Sequence, residues 1–288
     1  MSFTLVLNSS NVSNTSTNTT FKYNFIQGGF QVKDMEMCVS SITLPFSFYN
    51  VSSYYANRTF SLIFPKGATT QTISVTLPEG FYTVTTINSY IQQICIDNGA
   101  YLIDSTGNYV YYQQLVYNST YYSVQLLLYS VPTTLPTGYS YATTGTIYTS
   151  SANLPTTAYT PQFVLASSGS ISTIIGFAAG ATYPSAQTTT KQSLSSTLTP
   201  VGSTVKSLVM QCSLVNNSCT TPSDILDSMP INSTSFGSNI IYQPYPNFVN
   251  LSNGTYNNFT FSFRDQNLNE IYARDPNVSI TLIIRKKK

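Results

Sequence analysis

Apolar and polar residues alternate with period two through much of this chain, the pattern of strands that bury one face and wet the other. Val32–Leu44 reads as one long strand, with Met35 and Met37 alternating with Asp34 and Glu36. Phe60, Leu62 and Phe64 alternate with Ser61 and Ile63, and Ile73, Val75 and Leu77 with Ser74 and Thr76. Further candidates are Tyr101–Ile103, Tyr109–Tyr117 and Tyr121–Val131, with Ser105-Thr106-Gly107-Asn108 as a hairpin turn between the first two. The last third carries three clear cases, built on Leu208, Met210, Cys212 and Leu214, on Phe259, Phe261 and Phe263, and on Val278, Ile280, Leu282 and Ile284.

One segment changes period. Ile87, Tyr90, Ile91 and Ile94 follow the i, i+3, i+4, i+7 spacing of an amphipathic helix, with Thr85 or Thr86 as its cap and Asn98-Gly99 as its end. Such a lone helix covers the edge or end of a sheet. No repeat of fixed period is present, which argues against a propeller or solenoid. About nine or ten strands with one helix close most naturally as a two-sheet sandwich, so the expected fold is an all-β jelly roll.

Two stretches depart from the pattern. Residues 1–20 are polar and repetitive and read as a mobile arm, leaving residues 21–288 as the jelly-roll domain. Pro132–Thr160 is rich in Pro, Thr, Gly, Tyr and Ser, and an insertion or set of long loops is expected around residues 132–190.

Composition sharpens this picture. Of 288 residues only 8% are charged, against about 25% in an average soluble domain. No formal charge occurs in the 86 residues between Asp104 and Lys191. Either this is a hydroxyl-rich exposed lobe or much of it is buried against other subunits, since charge normally keeps surfaces apart. The net charge of +2 argues against nucleic-acid binding over the whole surface. No apolar run is long enough for a transmembrane helix, and the amino terminus lacks the features of a signal peptide. Cys38, Cys95, Cys212 and Cys219 are expected as reduced thiols, with a Cys212–Cys219 bridge as the alternative. Asn-x-Ser/Thr sequons begin at thirteen positions, from Asn8 to Asn277, and abundance of Asn, Ser and Thr accounts for them without glycosylation.

Candidate chemistry is sparse. The chain has no His, which removes imidazole-based catalysis and ligation. Ser203-Thr204-Val205-Lys206 matches S-x-x-K, but it runs into a strand instead of opening a helix. Asp34 and Glu36 share a strand face and are the best carboxylate pair for acid–base work on a sugar; a solvated face is the simpler reading. Asp224 and Asp227 fit a short helical turn capped by Ser223. Asp265-Gln266-Asn267-Leu268-Asn269 imitates a calcium loop but holds Glu270 and Pro276 where Gly and Glu are required, so it reads as a turn. No catalytic residue, metal site or cofactor is expected. The basic end Arg285-Lys286-Lys287-Lys288 is a candidate contact to nucleic acid or to a neighbouring shell surface. Tyr139, Tyr141 and Tyr148 are candidates to stack on glycans.

Several segments, taken in order, resemble a known family. They are Leu44-Pro45-Phe46-Ser47-Phe48-Tyr49-Asn50-Val51, and Leu77-Pro78-Glu79-Gly80-Phe81-Tyr82-Thr83-Val84 leading into Ile87-Asn88-Ser89-Tyr90-Ile91-Gln92. Ile174-Ile175-Gly176-Phe177, Cys212-Ser213-Leu214-Val215-Asn216-Asn217 and Asp265-Gln266-Asn267 follow. From about residue 30 onward this resembles the single-jelly-roll penton or minor capsid proteins of virophages and Polinton-like viruses. The resemblance implies a virion protein of an icosahedral double-stranded DNA virus, made in the host cytoplasm or a viral factory. As a penton it would form a homo-pentamer at the vertices and touch the major capsid protein, with packaged DNA as a further partner of the basic end. A different minor capsid position and a receptor- or glycan-binding attachment role are the alternatives.

Overall fold

The computed structural model describes residues 2–26, 28–231 and 235–287. The chain divides into two compact units, Met1–Tyr49 with Thr204–Lys288, and Asn50–Ser203.

Among the described residues, the first unit is a sandwich built on eight main strands. Its strands are β1 (Ser2–Asn8), β2 (Thr20–Asn24), β3 (Met35–Pro45), β4 (Ser207–Cys212), β5 (Ile225–Pro230), β6 (Asn239–Tyr242), β7 (Asn258–Arg264) and β8 (Ser279–Lys286). One sheet runs β1-β8-β3-β6 and the other β5-β4-β7-β2, with every one of these pairings antiparallel. First, eighth, third and sixth strands on one side, and fifth, fourth, seventh and second on the other, are the two Greek keys of a jelly roll. The alternation read from sequence sets the faces. Ile280, Leu282 and Ile284 of β8 are buried, as are Leu208, Met210 and Cys212 of β4 and Phe259, Phe261 and Phe263 of β7. The phenylalanines pack edge to face, with Phe261–Phe263 centroids at 5.3 Å and Phe21–Phe263 at 6.0 Å.

Residues 1–20 are not an arm. Ser2–Asn8 is β1, paired along its whole length with β8, and Leu5 and Leu7 point into the core. Its apolar residues Phe3, Leu5, Val6 and Leu7 are followed at once by a long polar run, and its partner lies at the far end of the chain, so the short signal is overridden by the composition around it. The polar residues that follow satisfy one another locally: Asn8 Oδ1 accepts from the Ser10 amide at 2.9 Å, and Asn14 Oδ1 from the Ser16 amide at 3.1 Å. The long strand expected over Val32–Leu44 is also interrupted. Phe30–Val32 pairs with Gly254–Tyr256, and β3 starts afresh at Met35 because Asp34 adopts a left-handed φ of 49°.

The second unit corrects the expected domain boundaries. The inserted body is Asn50–Ser203, longer than residues 132–190, and it contains strands that period two alone could not assign to a sheet. Its two ends are stitched together by Asn50, whose Nδ2 donates to the carbonyls of Tyr82 at 2.7 Å and Gly202 at 2.8 Å. Helix α1 (Val84–Asn98) buries Ile87, Asn88, Ile91 and Cys95. Its cap is Thr83, one turn ahead of Thr86, and the two form a reciprocal capping box; Gly99 ends it at φ 73°. Buried Asn88 accepts from the Leu115 amide at 2.8 Å and so fixes the helix on strand Gln113–Asn118. Strand Asn57–Lys66 pairs with Thr69–Thr76 and Gln162–Leu165, and Phe60 stacks on Phe163 at 5.0 Å. The expected hairpin turn after Ile103 is held by Asp104, whose carboxyl is lowered to about 2 by the Thr106 hydroxyl and then the Asn108 amide. No described helix is long and apolar enough to cross a membrane.

Candidate functional site

The basic end is built into the sandwich. Arg285 Nε donates to Glu36 Oε1 at 2.6 Å, and its guanidinium lies 3.3 Å from the centre of the Phe248 ring. Glu36 is thereby consumed on β3, and Asp34 sits in the bend before it instead of sharing its strand face. This undoes the proposed carboxylate pair. Lys286 continues β8 and is exposed; Lys287 is exposed and donates its backbone amide to the Asp34 carbonyl at 2.9 Å. Lys288 lies outside the described residues, as does the sequon at Asn232. Among the described residues the surface charge of this end therefore comes from Lys286 and Lys287, and Arg285 is committed to an ion pair.

The other acids also have local duties. Asp227 lies in β5, so no helical turn forms after Ser223. Burial raises the Asp227 carboxyl above the usual aspartate range, and burial together with the Asp227 charge lifts the Tyr242 phenol to about 12. Tyr242 donates to Asp227 Oδ2 at 3.2 Å. Asp265 Oδ1 accepts the amides of Asn267 and Asn269, each at 2.8 Å, which spends it on closing the expected turn. Residues 203–206 are not helical, and Lys206 gives its amide to Gln266 Oε1 at 3.0 Å. Among the described residues no three His, Cys, Asp or Glu side chains are grouped to hold a metal. All four cysteines are unbridged. Burial raises the Cys95 and Cys212 thiols to about 12, so neither is a thiolate at neutral pH.

The three candidate tyrosines part company. Tyr148 is fully buried, packed edge to face on Phe64 at 6.4 Å and Tyr112 at 6.0 Å. It cannot meet a glycan. The chain returns at this point to the end of α1: the amides of Thr146 and Ile147 donate to the Asn98 carbonyl at 3.0 and 3.1 Å, and that of Tyr148 to the Gly99 carbonyl at 2.7 Å. These bonds satisfy carbonyls the helix leaves open and draw Tyr148 inward. Tyr141 is half-buried on a short strand opposite Leu102. Tyr139 alone of the three lines a groove, with Tyr111 and Tyr129, two residues sequence reasoning did not single out. Pro132 and Pro136, which line the same groove, were the available signal. Elsewhere on this unit Tyr109, Tyr117, Tyr121, Tyr122 and Tyr159 are exposed, Tyr121 by 78%. The sequons at Asn50 and Asn57 are buried and hydrogen-bonded, so a glycan cannot be attached there without local opening.

Strand order and the uninterrupted neutral stretch define the class: a single jelly roll with a second β unit inserted between its third and fourth strands. Among solved structures, the chain is similar to the selenomethionine-labelled mavirus penton protein, at a TM-score of 0.40 and 9% identity over 100% of both chains. No family model matches the sequence, and no curated protein matches it.

Proposed function

We propose that this chain is a structural subunit of an icosahedral virus shell, the vertex protein, assembling as a homo-pentamer beside a major capsid protein. The observation that carries the reading is the inserted unit's surface. Between Asp104 and Lys191 it has no charge, yet it exposes a series of tyrosines. Charge depletion with tyrosine enrichment is the composition of protein–protein contact surfaces. The jelly roll supplies a rigid body for such contacts, and jelly rolls recur in viral capsids. The ordered segments that resemble virophage and Polinton-like capsid proteins support the same reading. Lys286 and Lys287 are the side chains offered to packaged DNA or to a neighbouring shell surface. The virion is the expected location.

A charge placed on the neutral surface tests this. Tyr121→Glu, at a position too exposed to matter for folding, is expected to weaken self-association in sedimentation velocity by about tenfold or more, because a desolvated carboxylate finds no partner there. Self-association unchanged by Tyr121→Glu and by Tyr159→Glu would remove the neutral surface from the contact.

A further inference from the structure

The groove under Tyr139 has a volume of about 550 Å³. Its chemistry is unusual for this molecule. Four tyrosines, Tyr111, Tyr112, Tyr129 and Tyr139, and three glutamines, Gln92, Gln113 and Gln114, contribute to one lining that contains no charged residue. Gln92 comes from α1, Tyr111 from strand Tyr109–Tyr111, and Gln113 and Gln114 from strand Gln113–Asn118. The far side is Tyr129 with the proline-stiffened stretch from Pro132 to Tyr139, in which the Tyr139 amide donates to the Pro136 carbonyl at 3.0 Å. Lys191, the first charge after Asp104, holds its amine 4.7 Å from the centre of the Tyr129 ring. Gln113 is 1% exposed; its Nε2 points to Cys95 Sγ at 3.7 Å, and its Oε1 has no hydrogen-bond partner within the protein.

We infer that this groove binds a neutral hexose, presented as the terminal unit of a glycan chain. Aromatic rings offer flat apolar faces to the C–H side of a pyranose, while carboxamides each offer a donor and an acceptor to its hydroxyls. An uncharged lining desolvates a neutral ligand cheaply and an ionic one at high cost. A proline-rich peptide is the rival for a tyrosine- and proline-lined groove. Such a peptide presents mainly carbonyl acceptors, so it answers the donors of the accessible glutamines, Gln92 and Gln114, and leaves their acceptors unmatched. Sugar hydroxyls donate as well as accept and match both. The inference is independent of the capsid reading: a monomer that binds sugar and a pentamer that does not are separate results.

The test uses the full-length protein on an array of neutral, sialylated and sulfated glycans, followed by saturation-transfer NMR with methyl hexosides as the free-sugar arm and a proline-rich peptide as competitor. Neutral hexose-terminated glycans are expected to bind, more tightly than the methyl hexoside alone. Tyr139→Ala and Gln114→Ala should each weaken that binding by about fivefold to tenfold, while Tyr139→Phe keeps most of it. Thermal melting of each variant separates lost binding from lost folding. Three results would overturn the inference: no neutral glycan bound, binding indifferent to both alanine variants, or displacement by the peptide with no sugar signal.

Discussion

Gly145→Ala is expected to destabilise the protein by about 3 kcal/mol or more, while Gly107→Ala costs about 1 kcal/mol. Both glycines have positive φ, 73° and 88°, so both substitutions carry the backbone cost of a left-handed alanine. The difference lies in what surrounds them. A Cβ on Gly107 meets nothing within 4 Å, whereas one on Gly145 would overlap the backbone of Asn98 and Gly99. Gly99 faces the same constraint from the other side, against the Thr144 carbonyl. Two glycines thus interlock at the end of α1, and the bonds from Thr146, Ile147 and Tyr148 depend on that approach. Urea denaturation of the two variants side by side measures the contrast. Equal midpoints would show that the interlock contributes nothing.

Phe261→Ala is expected to cost about 3–5 kcal/mol in the same measurement. Phe261 is fully buried in β7, the strand between β4 and β2, and stands opposite Cys212 and Phe21. Removing its ring leaves a cavity that two hydrogen-bonded neighbouring strands cannot close by moving. Phe261→Leu, which keeps most of the volume, should lose less than half as much. A small effect from the alanine variant would mean that the two sheets are not packed through this row.

These two sites also show what the sequence made legible. The row Phe259, Phe261, Phe263 announces its own strand and face, because both properties are local. So does α1, where a 3.6 period and Gly99 mark the body and the end; only the cap moved, from Thr85 or Thr86 to Thr83. What escaped was set by distant partners. Nothing near Leu5 and Leu7 says that Leu282 and Ile280, at the other end of the chain, will stand opposite them. Nothing near Tyr148 says that Gly145 will dock on Gly99 and bury the ring. Arg285 looked like part of a free basic tail until Glu36 and Phe248, from two other segments, closed around it. The groove has the same origin: Tyr111, Tyr129 and Tyr139 become neighbours only after the strands pair and the chain turns at Pro136–Tyr139.

In the proposed role this jelly roll, with the uncharged stretch between Asp104 and Lys191 in its inserted unit, joins copies of itself. Native mass measurement of the purified chain over a range of concentrations tests it most directly. A species of five chains, persisting on dilution to low micromolar concentration, is the result expected. A single chain of 31.6 kDa at every concentration would contradict it.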